Sequence, residues 1–447
     1  MGVLKSTVTA IDNYLRRSGG RDQGTRPAQA FRDAGMEAGS FSVEAQAAQA
    51  LSDLALGGFQ FQMTGSSERA RILDRAADEF DRRHAVPVME HGLLWGDCIV
   101  VPVWDGEGFD HAVVDVDDFR ILGCRGDEIT HVAYVVERKT VGTQQYALVQ
   151  EMRLVERAGE TSAEMRLTAL SQSGSEVDMA RFPDWAGYDR EWSIAGARHL
   201  PIARYRSPKR RADTANGVYG TPICHGASRA LKEIHYLVEQ QHAEFELSEK
   251  SIIADKSLFT RRDGALSLPR GKERVFMQVN GARNIDDVAL KTWAPSIQYD
   301  PYAEAVEQQL RAVERAIGVD SGILSKPENV NYENVDSVRK SMRKTQAFID
   351  AARGCMETCL DQLVAAWNVL LDYHGVPTGE AEHAYTWSND YINTYADQRA
   401  ALAAGFSMGA TDALDYRVFV MGEPVEEARA RVAEIAAGRE AAVLLTE

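Results

Sequence analysis

Two stretches of helical periodicity, separated by a broken loop, dominate the hydrophobic pattern between Asp300 and Gly375. Tyr302, Val306, Leu310, Val313 and Ile317 recur at the spacing of one helix face, between an Asp300-Pro301 start and a Gly318 stop. Asp can cap exposed N–H groups, and proline suits the first helical position. Residues 319–334 then carry Gly322, Pro327, Asn329, Asn331 and Asn334, which exclude a regular element. The period resumes at Val335 and runs through Val338, Met342, Thr345, Ile349, Ala352, Met356, Leu360, Leu363, Trp367 and Leu370, until Gly375 and Pro377 end it. A helix that long would span roughly 60 Å. It exceeds what one ordinary core needs and suits a strut in an assembly.

Val3, Leu4, Val8, Ile11 and Leu15 suggest a short first helix, followed by a Gly/Arg-rich connector over 16–24. Residues 43–83 read as helical with a Gly57-Gly58 interruption. After Gly92 the period turns toward strands at 98–104, 112–116, 129–136 and 146–149. Residues 155–200 read as an irregular extension of that sheet, and Arg204, Arg206, Lys209, Arg210 and Arg211 as a basic loop, either solvated or a DNA or partner contact. A second helix of roughly 45 Å is expected from Thr221-Pro222 to Ile252. Period-two segments at 257–261, 265–268 and 274–279 predict a small three-stranded module with tight turns. From about Trp387 the chain reads as helical, with stops or starts at Gly405, Thr411 and Glu423-Pro424. The fold class expected is α+β.

Composition changes this picture in two ways. The formal net charge of −16 over 447 residues argues against a free protein that grips phosphates. Cys98, Cys124, Cys224, Cys355 and Cys359 are odd in number and scattered, which points to a reducing compartment rather than a disulfide framework. No apolar run reaches membrane-span length, so no membrane role is expected. The start lacks an apolar signal core; Met1-Gly2 through Ser6 fits a myristoylation pattern, but the amphipathic helix is the preferred reading. Phosphate-binding loops, HExxH and nucleophile elbows are absent from the sequence. The one metal hypothesis is Cys355, Cys359 and His374, which would make the chain an acidic α+β metal-dependent enzyme. Gly217-Val-Tyr-Gly220 reads as a turn or, less specifically, an anion-binding approach to a helix.

Three passages carry a family resemblance. Tyr219-Gly-Thr-Pro-Ile-Cys-His-Gly-Ala-Ser228 before a long helix is one. Ala316-Ile-Gly-Val-Asp-Ser-Gly-Ile-Leu324 with Asn329-Val-Asn-Tyr-Glu-Asn334 is another. The third pairs Asp397-Gln-Arg-Ala-Ala-Leu-Ala-Ala-Gly405 with Gly422-Glu-Pro-Val-Glu-Glu-Ala428. In this order they resemble the portal proteins of tailed bacteriophages, of the siphophage type, from about residue 40 onward. The resemblance implies a portal-type fold. Its parts would be an N-terminal arm (1–39), an α/β wing (40–220), stem helices (221–252 and 301–318), a small β-rich clip (253–300), a tunnel loop (319–334), a long wing helix and wing end (335–386) and a helical crown (387–447).

It further implies a structural protein and not an enzyme, without cofactor or metal. Twelve copies would form a ring at one capsid vertex of the virion, assembled in the host cytoplasm. Double-stranded DNA would pass without sequence specificity at packaging and ejection, with the terminase motor, the head–tail adaptor and capsid and scaffold proteins as partners. Another ring component of a phage-like particle is the neighbouring alternative. Twelve copies would carry about −190 in formal charge, which suits a channel that must pass a polyanion without holding it.

On this reading Ile323, Leu324, Ser325, Lys326, Asn329 and Asn331 are expected at the channel. Lys326 and the asparagine amides would touch phosphate, unless Lys326 pairs with Glu328 or a neighbouring subunit. Lys256, Arg261, Arg262, Arg270, Lys272 and Arg274 form a basic clip patch, either a docking surface for acidic partners or only a soluble surface. Arg339, Lys340, Arg343 and Lys344 are expected to bridge to acidic neighbours.

Overall fold

The computed structural model describes residues 42–157, 159–209, 217–247, 251–255, 260–262, 265–267, 276–279, 290–293, 299–326 and 342–387, with Tyr14 and a few isolated C-terminal positions. The protein is α+β. Helix α1 (Val43–Leu56) starts where the Ser42 side chain accepts the Ala45 N–H. Strand β1 (Gln60–Thr64) follows, then α2 (Glu68–Arg83), capped by Ser67, and α3 (Ala85–Trp95), which ends at Gly96 with φ 92°. The 43–83 reading therefore missed a strand, and it missed α3 altogether. Strand β1 is hard to see because its partner, β16 (Glu382–Thr386), lies at the other end of the described body.

Strands β2 (Asp97–Trp104), β3 (Phe109–Asp115) and β10 (Ala203–Arg206) form one antiparallel sheet in the order β10-β2-β3. A larger sheet joins β4 (Phe119–Arg125), β5 (Glu128–Val141), β6 (Gln144–Arg157), β7 (Glu160–Ser171) and β8 (Glu176–Val177), with β9 (Glu191–Ala195) also paired to β7. Residues 160–171 are thus a regular twelve-residue strand, correcting the expectation of irregular structure. Its inward positions include Ala163 and Ala169 among polar neighbours, so the period-two signal is faint.

Helix α4 (Ser228–Leu247) is shorter than expected. Thr221-Pro222 does not start it: both are buried in a non-helical approach, and a 3-10 turn at His225–Ala227 intervenes. Twenty residues span about 30 Å. Ile252 lies in strand β11 (Ser251–Asp255) rather than on the helix. That strand pairs in parallel with β14 (Phe276–Val279) and antiparallel with β15 (Leu290–Trp293). Strands β12 (Thr260–Arg262) and β13 (Ala265–Ser267) form a separate hairpin. The predicted three-stranded module is therefore split: β14 turns away from the hairpin and lies against β11.

Helix α5 (Tyr299–Ile317) matches its reading closely and packs antiparallel against α4, with Gly318 at φ 100° after its last turn. Helix α6 (Arg343–Tyr373) is about 47 Å long. Met342 is a turn residue, so the helix is not continuous through that position, and the expected start at Val335 lies among residues 327–341, outside the described residues. Nor is α6 a free strut. Ile349, Met356, Leu360, Leu363, Trp367 and Leu371 are buried in the main core with α1, α2, α3 and β1. The Trp367 indole donates to His111 Nε2 at 3.0 Å. Burial holds the His111 pKa down at about 3, with His84 nearby pushing the same way, so the ring stays a neutral acceptor. Trp387, expected helical, is an irregular residue stacked on Phe59 at 4.4 Å. Of the other helices expected at either end of the chain, Tyr14, Leu414 and residues 429–432 are helical, and most of the remaining positions lie outside the described residues.

Candidate functional site: the junction of the helix pair with the long helix

The junction between α5 and α6 is built on two carboxylates. Glu314 sits at 310 + 4 and 317 − 3, on the apolar stripe of α5, and is fully buried. Its Oε1 accepts the consecutive backbone N–H groups of Gly322, Ile323, Leu324 and Ser325 at 3.1, 2.9, 2.7 and 2.9 Å. Its Oε2 accepts the Ser325 hydroxyl at 2.8 Å. Successive amides converging on one anion form a nest, here filled by the chain's own side chain. The carboxylate is stabilised in the interior because every donor aimed at it is satisfied by it.

Asp320 performs the second task. Helix α6 has no side-chain cap from its own flank, where Met342 stands. Asp320 Oδ2 accepts the N–H groups of Lys344 and Thr345 at 2.9 and 3.0 Å, and the Asp320 N–H donates to the Thr345 hydroxyl oxygen at 3.0 Å. A residue that follows one helix thus satisfies the orphan donors of the next, 24 positions on. At the other side of the junction Lys209 Nζ donates to the Ala316 and Ile317 carbonyls at 2.5 and 2.8 Å, covering the C-terminal end of α5. Burial lowers the Lys209 pKa from its usual value.

This geometry redistributes the expected site residues. Ile323 and Leu324 are half-buried and pack against the main core, and Ser325 is buried under Glu314. Only Lys326, held through its N–H by Glu307 Oε1 at 2.6 Å, has an exposed side chain. Asn329 and Asn331 lie outside the described residues, so any projection of the loop begins at Lys326. Arg343 and Lys344 open α6, where the Lys344 amide is the atom that Asp320 engages. In the small β region, Arg261 and Arg262 lie on β12, paired in register with Leu266 and Ala265. Lys256, Arg270, Lys272 and Arg274 lie outside the described residues, as do Arg210, Arg211, Arg339 and Lys340.

The basic loop reading is corrected. Arg204 and Arg206 lie on β10, not in a loop. Arg204 is 3% exposed and its guanidinium faces Asp97, which is 0% exposed, with Nε donating to Oδ1 at 2.9 Å. Burial works against its charge, but Asp97 more than offsets this and holds the Arg204 pKa above its usual value. Gly217–Gly220 is not an anion loop. The Gly217 and Val218 carbonyls accept from Arg206 and Arg204, and the Gly220 N–H donates to Asp97. A Cβ at Gly220 would lie 1.8 Å from the Gly96 carbonyl oxygen, so the approach of these two segments requires glycine there. A cleft of about 660 Å³ beside them is lined by Arg206, Lys209, Thr221, Cys355 and Thr358, and both of its surface cations are already engaged.

The metal hypothesis does not survive the geometry. Cys359 and His374 are on or at the end of the same helix, 15 residues and about 22 Å apart. Cys359 is buried, and burial drives its thiol pKa far up. Among the described residues no group of three or more His, Cys, Asp or Glu is placed to hold a metal, and no helix is long and apolar enough to cross a membrane.

Sequence reasoning missed Glu314, Asp320, Asp97 and Arg69. Arg69 is buried on α2 and fans out to the Asn368 and Asp372 side chains on the last turns of α6 and to the Val376 and Pro377 carbonyls just beyond it. Arg353 on α6 reaches the Ala55 carbonyl at the end of α1 and lies over the Trp387 ring. For Glu314, Arg69 and Arg353 the available signal was a charged residue falling on an apolar helical stripe; Asp320, in a loop, and Asp97, at the start of a strand, carried no such signal.

No protein-family model and no curated protein matches the sequence. Similar solved structures include gene transfer agent particle components and a phage portal protein. The neck of a native gene transfer agent particle, computed with C12 symmetry, is similar at 15% identity and a TM-score of 0.42, covering 93% of this chain and 99% of that one. The virion of a native gene transfer agent particle gives 15% identity, a TM-score of 0.43 and the same coverage. An HK97 family phage portal protein from Corynebacterium diphtheriae gives 11% identity and a TM-score of 0.27, covering 80% of this chain and 100% of that one.

Proposed function

We propose that the chain is the ring-forming portal subunit of a tailed-phage head or a phage-like particle. The observation that carries this reading is the order of elements. An α+β body sends out one helix, α4, to a small β region; the chain returns along α5, turns at a pinned loop, and re-enters the body as a single long helix, α6. In that reading 40–220 and 335–386 form the wing, α4 and α5 the stem, 253–300 the clip, 319–334 the tunnel loop and 387–447 the crown. Lys326, Asn329 and Asn331 face the DNA path and contact phosphate without reading sequence. Arg261, Arg262 and the surrounding basic residues of 256–274 meet acidic surfaces of the motor, the adaptor or neighbouring clips.

The charge supports a conduit rather than a grip. An acidic ring repels the polyanion it passes, and few phosphate contacts mean little salt-dependent affinity to slow it. Imaging of the purified chain by negative stain, with mass photometry, tests the reading. A closed ring of about twelve copies with a central hole is the expected result, and a monodisperse monomer at all concentrations overturns it.

A further inference from the structure

We propose that the outer face of the six-stranded sheet is a docking site for the chain's own N-terminal segment, anchored by Tyr14. The inner face of this sheet is accounted for: Phe119, Val132, Tyr134, Met152 and Met165 pack into the core shared with β2 and β3. The opposite face is defined by register. Val135 lies across from Val149 and Val149 from Thr168, while Ala147 lies across from Leu170. Together with Ala133, these apolar positions are 7% exposed or less. A sheet face that is apolar and dry needs a cover.

The cluster formed by these residues contains one described side chain from outside the sheet, and it is Tyr14, itself 4% exposed. The floor suits a ring. Ala133 and Ala147 are small residues in the same buried cluster as Val135 and Val149. Thr168 closes one side and shares a hydrogen bond with the Tyr14 hydroxyl, an amphipathic fit that tyrosine is built for. Burial raises the pKa of that hydroxyl, and the Thr168 bond offsets part of the rise. Glu151, Glu176 and Arg166 lie within electrostatic reach of the ring, and Glu151 is also bonded to His131 at 2.7 Å. The sequence on either side of Tyr14 suits this surface, with Val8 and Ile11 before it and Leu15, Arg16 and Arg17 after it. The occupant is therefore the segment that carries Tyr14, and the inference does not depend on ring formation.

Hydrogen exchange on the full-length chain tests it, comparing the parent with Tyr14→Ala and Tyr14→Phe. Tyr14→Ala is expected to raise exchange roughly tenfold or more at 133–135, 147–149 and 168–170. It should also speed tryptic cleavage after Arg16 and Arg17, while α6 stays as protected as in the parent. Tyr14→Phe, which keeps the ring and loses the Thr168 bond, should fall between the two. A synthetic peptide of residues 4–20 should restore slow exchange to the Tyr14→Ala chain. Exchange and cleavage unchanged in Tyr14→Ala, or a loosening that spreads to α6, overturns the proposal.

Discussion

The main body and the α4–α5 pair are both built from amphipathic helices, yet they use their apolar faces differently. In the body, α6 has a continuous buried stripe from Thr345 to Leu371, covered by the chain's own strands and helices. Among the described side chains of the pair, burial is complete only at the body end, at Leu231 and Ile234 of α4 and Val313, Glu314 and Ile317 of α5. From Tyr302 to Ala312 no residue of α5 is fully buried, although Val306 and Leu310 continue the same stripe, and Tyr236 on α4 is 55% exposed. The body is folded by its own contacts. The far end of the pair has apolar surface left over, which a second helix pair would cover.

The largest expected effect probes the body. Trp367→Ala removes a fully buried indole and its bond to His111, and should cost about 3–5 kcal/mol, read from urea unfolding. A smaller loss would show that α6 is less central than its burial implies. Next is the junction between the two regions. Glu314→Ala takes the carboxylate from four amides, of which only Gly322 keeps a second acceptor in the Ser325 hydroxyl, and should cost about 3 kcal/mol, with fast hydrogen exchange appearing at 323–325. Unchanged exchange there would mean that the loop is held by something other than the carboxylate.

A third variant separates the regions. Leu310→Asp on the half-exposed stripe should change the stability of the single chain by less than about 1 kcal/mol, while greatly reducing the closed-ring fraction in mass photometry. Equal rings from parent and variant would remove the far end of the pair from the subunit contact.

The smallest effect concerns pH. The hydrogen bond to Asp115 raises the His91 pKa above its ordinary 6.5, against the opposing pull of burial. The folded-state value is the higher one, so the contribution is full below pH 6.5 and disappears as pH rises through the folded value. Both groups are about 40% exposed, so solvent screening reduces it to about 0.5 kcal/mol or less. Asp115→Asn should therefore lower the unfolding midpoint in mildly acidic buffer and leave it unchanged in mildly alkaline buffer; an equal loss in both would make the contact purely structural.

What was legible in the sequence follows from the range of the interactions. Helix α5 was read correctly between Asp300 and Ile317 because its start, stripe and stop are all local. The core face of α6 was legible for the same reason. Strand β1 was not, since Phe61 and Met63 are inward only by virtue of pairing with 382–386. The Thr221-Pro222 start failed because a 3-10 turn delays the helix, a choice made by burial of Pro222 and Ile223 against α3. Arg204 looked like surface charge because its partner, Asp97, is 107 positions away. At the junction the stripe of α5 was visible but Glu314, seated on it, was not singled out. The same oversight applies to Arg69 and Arg353, which also interrupt apolar stripes and also tether distant backbone.

The Glu314 nest fixes α5 in angle as well as in place. Rotating the helix by one residue, about 100°, would carry the carboxylate away from all four amides together, so the body end of α5 has a single allowed setting. An alanine inserted between Ala303 and Leu310 would therefore work as a dial. The body end would stay indexed, and the start of α5 at 299–303 would turn by that angle relative to its partner α4.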